Sequence, residues 1–489
     1  MMSDVFDLVI RGGTVATASD CFKADVGVLN GRIVALGSDL PEGRRTIDAG
    51  RRLVLPGGVD SHTHIEQMSS GGFINSDTFL SATTAAAFGG TTSVISFAAQ
   101  NTGQSLARVV EDYHRVAKSG AVIDYAFHMI LGDPTEAVLT DELPDLVKAG
   151  HSSLKIFMTY DRVKVDDERI LEILMRAREN AAFVMAHAEN HGMITWMTNR
   201  LLKRGYEHGR YHALAHARLA EREAIYRFLT LAELVNQPVM VYHVSTAEGC
   251  AVIREARGRG QKVFAETCPQ YLFLTRQDLD RPGNEATKFM FSPPARETGD
   301  ADALWQALSL GDLQIISSDH SPYAFDETGK LRYAAIPNFK QVVSGVPGIE
   351  ARLPLMFDAM VSSGRFSVQD FVRWTASEPA RIYGLAPRKG SIAIGGDADI
   401  AIWDPEKTVT LSDAAVRDLS RFTPFAGRTV KGWPETVIRR GEVIVADGKL
   451  HAVAGSGQFL ARAAGEAAIP TGKLPLEMDS ARNFGAELF

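Results

Sequence analysis

Eight apolar runs, each ending on polar or ionisable residues, follow one another through the middle of the chain. They read LPGGVDSHTH, TTSVISFAA, DYAFHMIL, SSLKIFMT, AFVMAHAE, PVMVYHVS, KVFAETCP and LQIISSDHS. Amphipathic stretches such as DERILEILMRARENA and DADALWQALSL separate most of them. Strands that alternate with helices must pair in parallel, because each helix carries the chain back to the starting edge. Runs that are apolar throughout, without alternation, fit strands buried on both faces. Eight such units over roughly three hundred residues predict a closed parallel barrel. A doubly wound open sheet would also supply eight strands. It would normally bring a G-x-G-x-x-G phosphate turn, which the sequence lacks.

The flanks have a different texture. FDLVIRGGTVAT, DVGVLNGRIVALG and RTIDAGRRLVLPG open the chain, and GSIAIGGDADIAIWD and GWPETVIRRGEVIVADGKL return late in it. Short alternating strands broken by Gly, Asn-Gly and Asp-Gly are hairpin signals. The fold class expected is therefore α/β, a (β/α)8 TIM-like barrel with a small β-sandwich domain built from both ends of the chain. The boundaries read as 1–56 for the first sandwich part, 57–385 for the barrel and 386–455 for the second sandwich part. Residues 456–489 lack a core-forming pattern and read as an arm lying on the surface or on another subunit.

Composition excludes several classes of partner. A net charge of −7 with no basic stripe argues against nucleic acid. No run of about 18 apolar residues is present to span a membrane. Cys21, Cys250 and Cys268 are scattered, and the first residues show no basic head with a long apolar stretch. A reduced, cytoplasmic protein is expected on both counts.

The ionisable residues fall at the strand ends, where barrel enzymes assemble their sites. His62 and His64 close the first run and, one residue apart, point to the same side of an extended backbone. Lys155 lies in the fourth run, His187 ends the fifth, His243 the sixth and Asp319 the eighth. Singly, a buried histidine is more often a satisfied core residue. Together, four imidazoles and a carboxylate exceed what one open tetrahedral zinc requires, and two divalent metals are the natural reading. Two metals need a bridging anion, yet no spare acid stands in the fourth run. A desolvated Lys155 could lose its proton and take up carbon dioxide as a carbamate. Composition alone favours a lysine whose stem packs in the barrel with its head paired to a carboxylate.

The set HTH, K-x-F-M-x-Y, HAEN, HVS and SDH-x-P, with PGGVDSHTH, AAAFGGTTSVISF, LKIFMTY, FSPPAR and SGVPGIE, resembles the dihydropyrimidinase and hydantoinase family of the amidohydrolase superfamily. The likeness runs from about residue 5 to 455. It implies two zinc ions held by His62, His64, His187, His243 and Asp319 and bridged by N6-carboxylysine at Lys155. It also implies Asp319 as the proton-transfer residue and Tyr160 as a hydrogen-bond donor to the developing oxyanion. Ser292 and Ser344 would hold the amide edges of a cyclic amide that opens to an N-carbamoyl amino acid. A homotetramer is implied as well. Cyclic imidase, allantoinase and a non-catalytic relative are the alternative readings.

The chain departs from the family pattern in places. Ser344 stands where asparagine is usual, and IEQMSSGGF follows HTH in place of an apolar and aromatic lining. Glu66 and Gln67 read either as a more polar pocket wall or as solvated rim residues. The absence of an arginine between HTH and Arg108 disfavours dihydroorotate, whose carboxylate would call for a bidentate partner. His208, His212 and His216 recur every four residues in YEHGRYHALAHARLAE and are expected on a solvated helix face. His320 is left out of the ligand set because it points opposite to Asp319.

Overall fold

The computed structural model of the chain describes residues 6–69 and 71–488. The first five residues of the expected sandwich, Phe489 of the expected arm and Ser70 of the polar loop lie outside the described residues. The eight apolar runs form one parallel sheet. Its strands are Gly58–Thr63, Thr91–Ala99, Asp124–Ile130, Ser153–Phe157, Phe183–His187, Val239–Val241, Val263–Thr267 and Ile315–Ile316, in sequence order. The curled sheet closes at a seam between its first and last strands. There Thr63 bridges His320 in parallel, and His64 N donates to His320 O across 2.7 Å. Ser318 N donates to Asp60 Oδ1 at 3.0 Å on the same seam.

Helices pack outside the barrel as their periodicity requires. Asp167–Glu179 starts on Asp166, whose side chain accepts from Arg169 N, and buries Ile170, Ile173, Leu174 and Ala177. The spacing of three and four residues puts these side chains on one face. Thr298–Leu310 stops at Gly311, which takes φ +77°; a left-handed residue is a common helix end, and glycine adopts it without steric cost.

Two further sheets come from the chain ends. Leu8–Arg11 sits between Asp25–Leu29 and Arg45–Asp48 in a four-stranded sheet. In a seven-stranded sheet the early strand Leu53–Pro56 pairs antiparallel with the late strand Ile400–Thr410, Leu55 opposite Ala401. Leu8, Ile10, Val26 and Val28 of the one sheet pack on Val15, Val54, Ile400 and Ile438 of the other. Leu53–Pro56 runs directly into the first barrel strand through Gly57, where a Cβ would stand 2.2 Å from Thr92 Oγ1. Only glycine allows that approach.

The tail is more deeply built in than its lack of pattern suggests. Tyr125 N donates to Gln458 O, and Leu460 N donates to Tyr125 O. Leu460, Ala467 and Ala468 are buried with Phe183, Met240 and Tyr383. Arg462 is 2% exposed, and its guanidinium donates to Ser153 Oγ at 2.8 Å and to Phe127 O. Isolated side chains filling separate gaps leave no period to read. Among the described residues no helix is long and apolar enough to cross a membrane.

A buried charge cluster joins barrel and sandwich. Lys389 Nζ lies 2.7 Å from Asp124, 3.1 Å from Asp397 and 2.6 Å from Asp399, with its side chain 1% exposed. Arg440 also pairs with Asp124. Removing the lysine leaves buried carboxylates without compensation, the costly way to break such a cluster. Lys389→Met is expected to lower stability by roughly 3–5 kcal/mol, read from the urea transition at neutral pH. A shift of under about 1 kcal/mol would show that Arg440 and hydrogen bonds already satisfy the acids.

Candidate active site

All nine residues expected to hold metal or substrate line one cavity of about 560 Å³ at the carboxyl ends of the barrel strands. They are His62, His64, Lys155, Tyr160, His187, His243, Ser292, Asp319 and Ser344. The first and last strands bring three of them closest. Asp319 Oδ1 is 3.1 Å from His62 Nε2 and 3.5 Å from His64 Nε2. One donor atom from each lies within 4.8 Å of the others, a group able to hold a metal ion. His187 and His243 form the other side, their ring centres 4.5 Å apart, with His243 5.6 Å from His62.

The outer nitrogens of His62, His64 and His187 are engaged, which turns their inner ones toward the cavity. His64 donates Nδ1–H to Gln67 Oε1 at 2.6 Å. His187 donates Nε2–H to Glu189 at 2.7 Å, and Glu189 accepts from His216 Nδ1 at 2.9 Å. His62 pairs through Nδ1 with the buried Glu266. Such partners set which nitrogen keeps its lone pair for a metal. His64 Nε2 then offers a lone pair toward a carboxylate oxygen, an arrangement that asks for a cation between them. His243 Nδ1 is buried with no hydrogen-bond partner among the described residues.

Electrostatics support neutral imidazoles here. Burial drives His62 and His243 well below the usual histidine range, and the Lys155 and His187 charges add to it. His187 is lowered by burial too, against the pull of Glu189. Burial alone would raise the Glu189 carboxyl, but His216 and His187 outweigh it and hold the group well below its ordinary value. Lys155 is 1% exposed, its Nζ 3.9 Å from the centre of the Tyr242 ring and 5.2 Å from that of Phe157. Burial lowers its pKa to about 7, although Glu266 and Asp319 favour the charged form.

Three of the cavity residues sit in left-handed backbone, Tyr160 at φ +73°, His243 at +40° and Asp319 at +47°. Non-glycine residues seldom adopt it, and strain of this kind collects at functional sites. Tyr160 stands 5.3 Å from His187 ring to ring. Its hydroxyl is pushed upward by burial first and by Glu189 next, and it shares a hydrogen bond with Ser292. Ser292 Oγ donates to Ser344 Oγ at 3.2 Å.

The histidine run needs correction. The helix there spans only Tyr211–Ala215, and its histidine face turns inward. His212 and His216 are 3% and 8% exposed. His212 donates to Phe291 O at 2.8 Å, and His216 meets Glu189. The neighbouring Arg and Glu misled because Arg218 pairs with Asp300 and Glu248 rather than facing water alone. Glu66 is neither pocket wall nor rim, for its carboxylate accepts from Phe79 N at the start of a helix. Gln67 lines the cavity and orients His64. Glu189 and Glu266 were missed. The signals were there, since Glu189 lies two residues past His187 and Glu266 interrupts an apolar barrel strand.

The chain resembles known proteins over most of its length. Residues 53–444 match the profile described as "Amidohydrolase family". The chain is 40% identical over 460 residues to a D-hydantoinase of Ralstonia pickettii, covering 93% of this chain and 99% of the relative. It is 35% identical over 459 residues to a D-phenylhydantoinase of Escherichia coli O1:K1 / APEC, covering 93% and 98%. Among solved structures, the dihydropyrimidinase from Brevibacillus agri NCHU1002 superposes with a TM-score of 0.90 at 39% identity, covering 94% of this chain and 99% of the other. An L-hydantoinase (dihydropyrimidinase) from Arthrobacter aurescens gives 0.86 at 28% identity, covering 94% and 100%.

Glu189→Gln keeps the shape but removes the charge that fixes His187. It is expected to weaken retention of added Zn²⁺ by about 10- to 100-fold in competition with a chelator. Unchanged retention would show that the Glu189 contact only packs the helix.

Proposed function

Because this chain belongs to the amidohydrolase family, we propose that it hydrolyses a cyclic amide, a dihydropyrimidine or 5-substituted hydantoin, to an N-carbamoyl amino acid. The observation that carries the reading is the meeting of four imidazoles, Lys155 and Asp319 in one cavity with Tyr160, Ser292 and Ser344. Relatives named D-hydantoinase, at 40% identity over nearly the whole chain, support it.

The donor set suits divalent metal. The inner nitrogens of His64 and His187 are left as acceptors, and His243 Nδ1 has no other partner among the described residues. His62, His64, His187, His243 and Asp319 would hold two ions, zinc first among them. Lys155 as a carbamate would supply the bridging carboxylate that the fourth strand otherwise lacks. Addition of its neutral amine to carbon dioxide forms a C–N bond and releases one proton. When bound, such ions bring the pKa of water from about 15.7 towards neutrality and polarise an amide carbonyl.

The chain's own residues do the rest. Asp319 accepts the proton of the attacking water and returns it to the ring nitrogen that leaves as the C–N bond breaks. Tyr160, kept protonated by its burial, donates to the carbonyl oxygen as negative charge develops there. Ser292 and Ser344 hold the amide edges of the ring. The non-catalytic reading is disfavoured because every proposed ligand lines the cavity. Arg108, the first arginine after HTH, is exposed and paired with Glu111 and Asp112, so it gives the cavity no clamp for a substrate carboxylate. A homotetramer and a cytoplasmic location complete the proposal, resting on the family resemblance and on the sequence respectively.

Purified protein is expected to carry close to two divalent ions per chain, as in two-metal hydrolases. It should open dihydrouracil or a 5-substituted hydantoin with loss of ultraviolet absorbance. No turnover of either ring by fully metallated protein would overturn the reading in favour of an imidase or allantoinase. Tyr160→Phe should reduce kcat by about 10²- to 10³-fold with metal content unchanged. An unaffected kcat would remove Tyr160 from the chemistry.

A further inference from the structure

Lys330 has no place in the mechanism above, yet its side chain is among the largest that are fully buried. A tight turn delivers it inward. Lys330 N donates to Ala324 O at 2.9 Å, and a Cβ on Gly329 would stand 2.2 Å from that same oxygen. Among the described residues the amine meets two main-chain oxygens and no carboxylate. Lys330 Nζ donates to Met290 O and to Val343 O, each at 3.1 Å. Burial lowers its pKa to about 7.

The two acceptors are informative. Met290 stands two residues before Ser292, and Val343 directly precedes Ser344. Met290 O also accepts from Gly345 N at 3.0 Å. One lysine therefore clamps together the two strips of backbone whose serines face each other at 3.2 Å across the cavity wall. A buried lysine without a counter-charge is expensive to maintain. An apolar side chain would fill the volume more cheaply, so packing does not account for it.

We propose that Lys330 is a positioning residue for ring binding, fixing the spacing between the Ser292 and Ser344 segments. It touches neither substrate nor the reacting atoms. This inference rests on the cyclic amide hydrolase reading and names the residue that sets how the ring is gripped. Loss of the clamp would loosen the grip on the ring edges while leaving the imidazoles and Asp319 untouched. It would also weaken discrimination between five- and six-membered rings, whose amide edges are spaced differently.

The test compares wild-type holoenzyme with Lys330→Met, an unbranched apolar replacement, and with Lys330→Gln, a shorter side chain that can still donate. For Lys330→Met, KM for a hydantoin and for dihydrouracil should rise about tenfold while kcat stays within about threefold. Metal content should be unchanged, and the ratio of kcat/KM for the two rings should move toward one. Lys330→Gln should restore part of the KM. A normal KM in folded, metallated Lys330→Met, or a fall in kcat alone, would overturn the proposal. If only Lys330→Met fails to fold, an intermediate rise of KM in Lys330→Gln supports the proposal and a normal KM overturns it. Failure of both variants to fold would make Lys330 a requirement of the fold and overturn its positioning role. Failure of metallated wild type to open either ring would instead sink the hydrolase reading, and this inference with it.

Discussion

The seam where the last barrel strand meets the first does more than close the sheet. His64 N–H and Ser318 N–H cross it to His320 O and Asp60 Oδ1, and Arg352 lies beneath it, wholly buried. That guanidinium donates to Ile316 O at 3.0 Å and to Thr91 Oγ1 at 3.1 Å, with Nε 3.5 Å from Asp60. Strands whose sequence positions differ by more than 250 residues are thereby held in register. The same register places Asp319 against His62 and His64. An open sheet with the same strands would leave the acid and the imidazoles at opposite edges.

Once the barrel is closed, burial sets the protonation of its contents. The imidazoles lose their charge because the interior penalises it, and neutral imidazole is the form that binds metal. Glu189 keeps its charge because two histidines face it from opposite sides. The positive φ values of Tyr160, His243 and Asp319 show the backbone bent to aim side chains that ordinary strand geometry would direct elsewhere. That strain is sustained by the packing around it, where Phe97, Tyr242 and Phe157 wall the centre.

The barrel was legible because its strands lie within apolar runs with ionisable ends, and each of the eight expected runs contains a strand. The nine expected cavity residues share one pocket because strand ends of a closed barrel converge whatever the loops do. Supporting residues were harder to see. Glu266 lies in an apolar strand, where a charge is rare and therefore informative, but its partner His62 comes from another strand; Glu189 joins its near neighbour His187 to the remote His216. The four-residue period of His208, His212 and His216 gives a helix face without saying which way it turns, so the inward turn of His212 and His216 has no local signal. Arg462 and Lys330 are buried cations with main-chain acceptors, and no local pattern announces such a site.

Period, polarity and punctuation are local properties, so the chain by itself determined its alternation of strand and helix and the strand-end placement of the ionisable residues. Which groups face one another is a matter of distance between remote segments, and only the closed tertiary structure decided it. His64 with Gln67 is a near neighbour along the chain; Asp319 beside His62, Glu266 beside His62 and Lys330 between Met290 and Val343 are not. Contacts of that kind come from chain closure and register, and the energy that holds them is spread over the whole core rather than written in any one stretch.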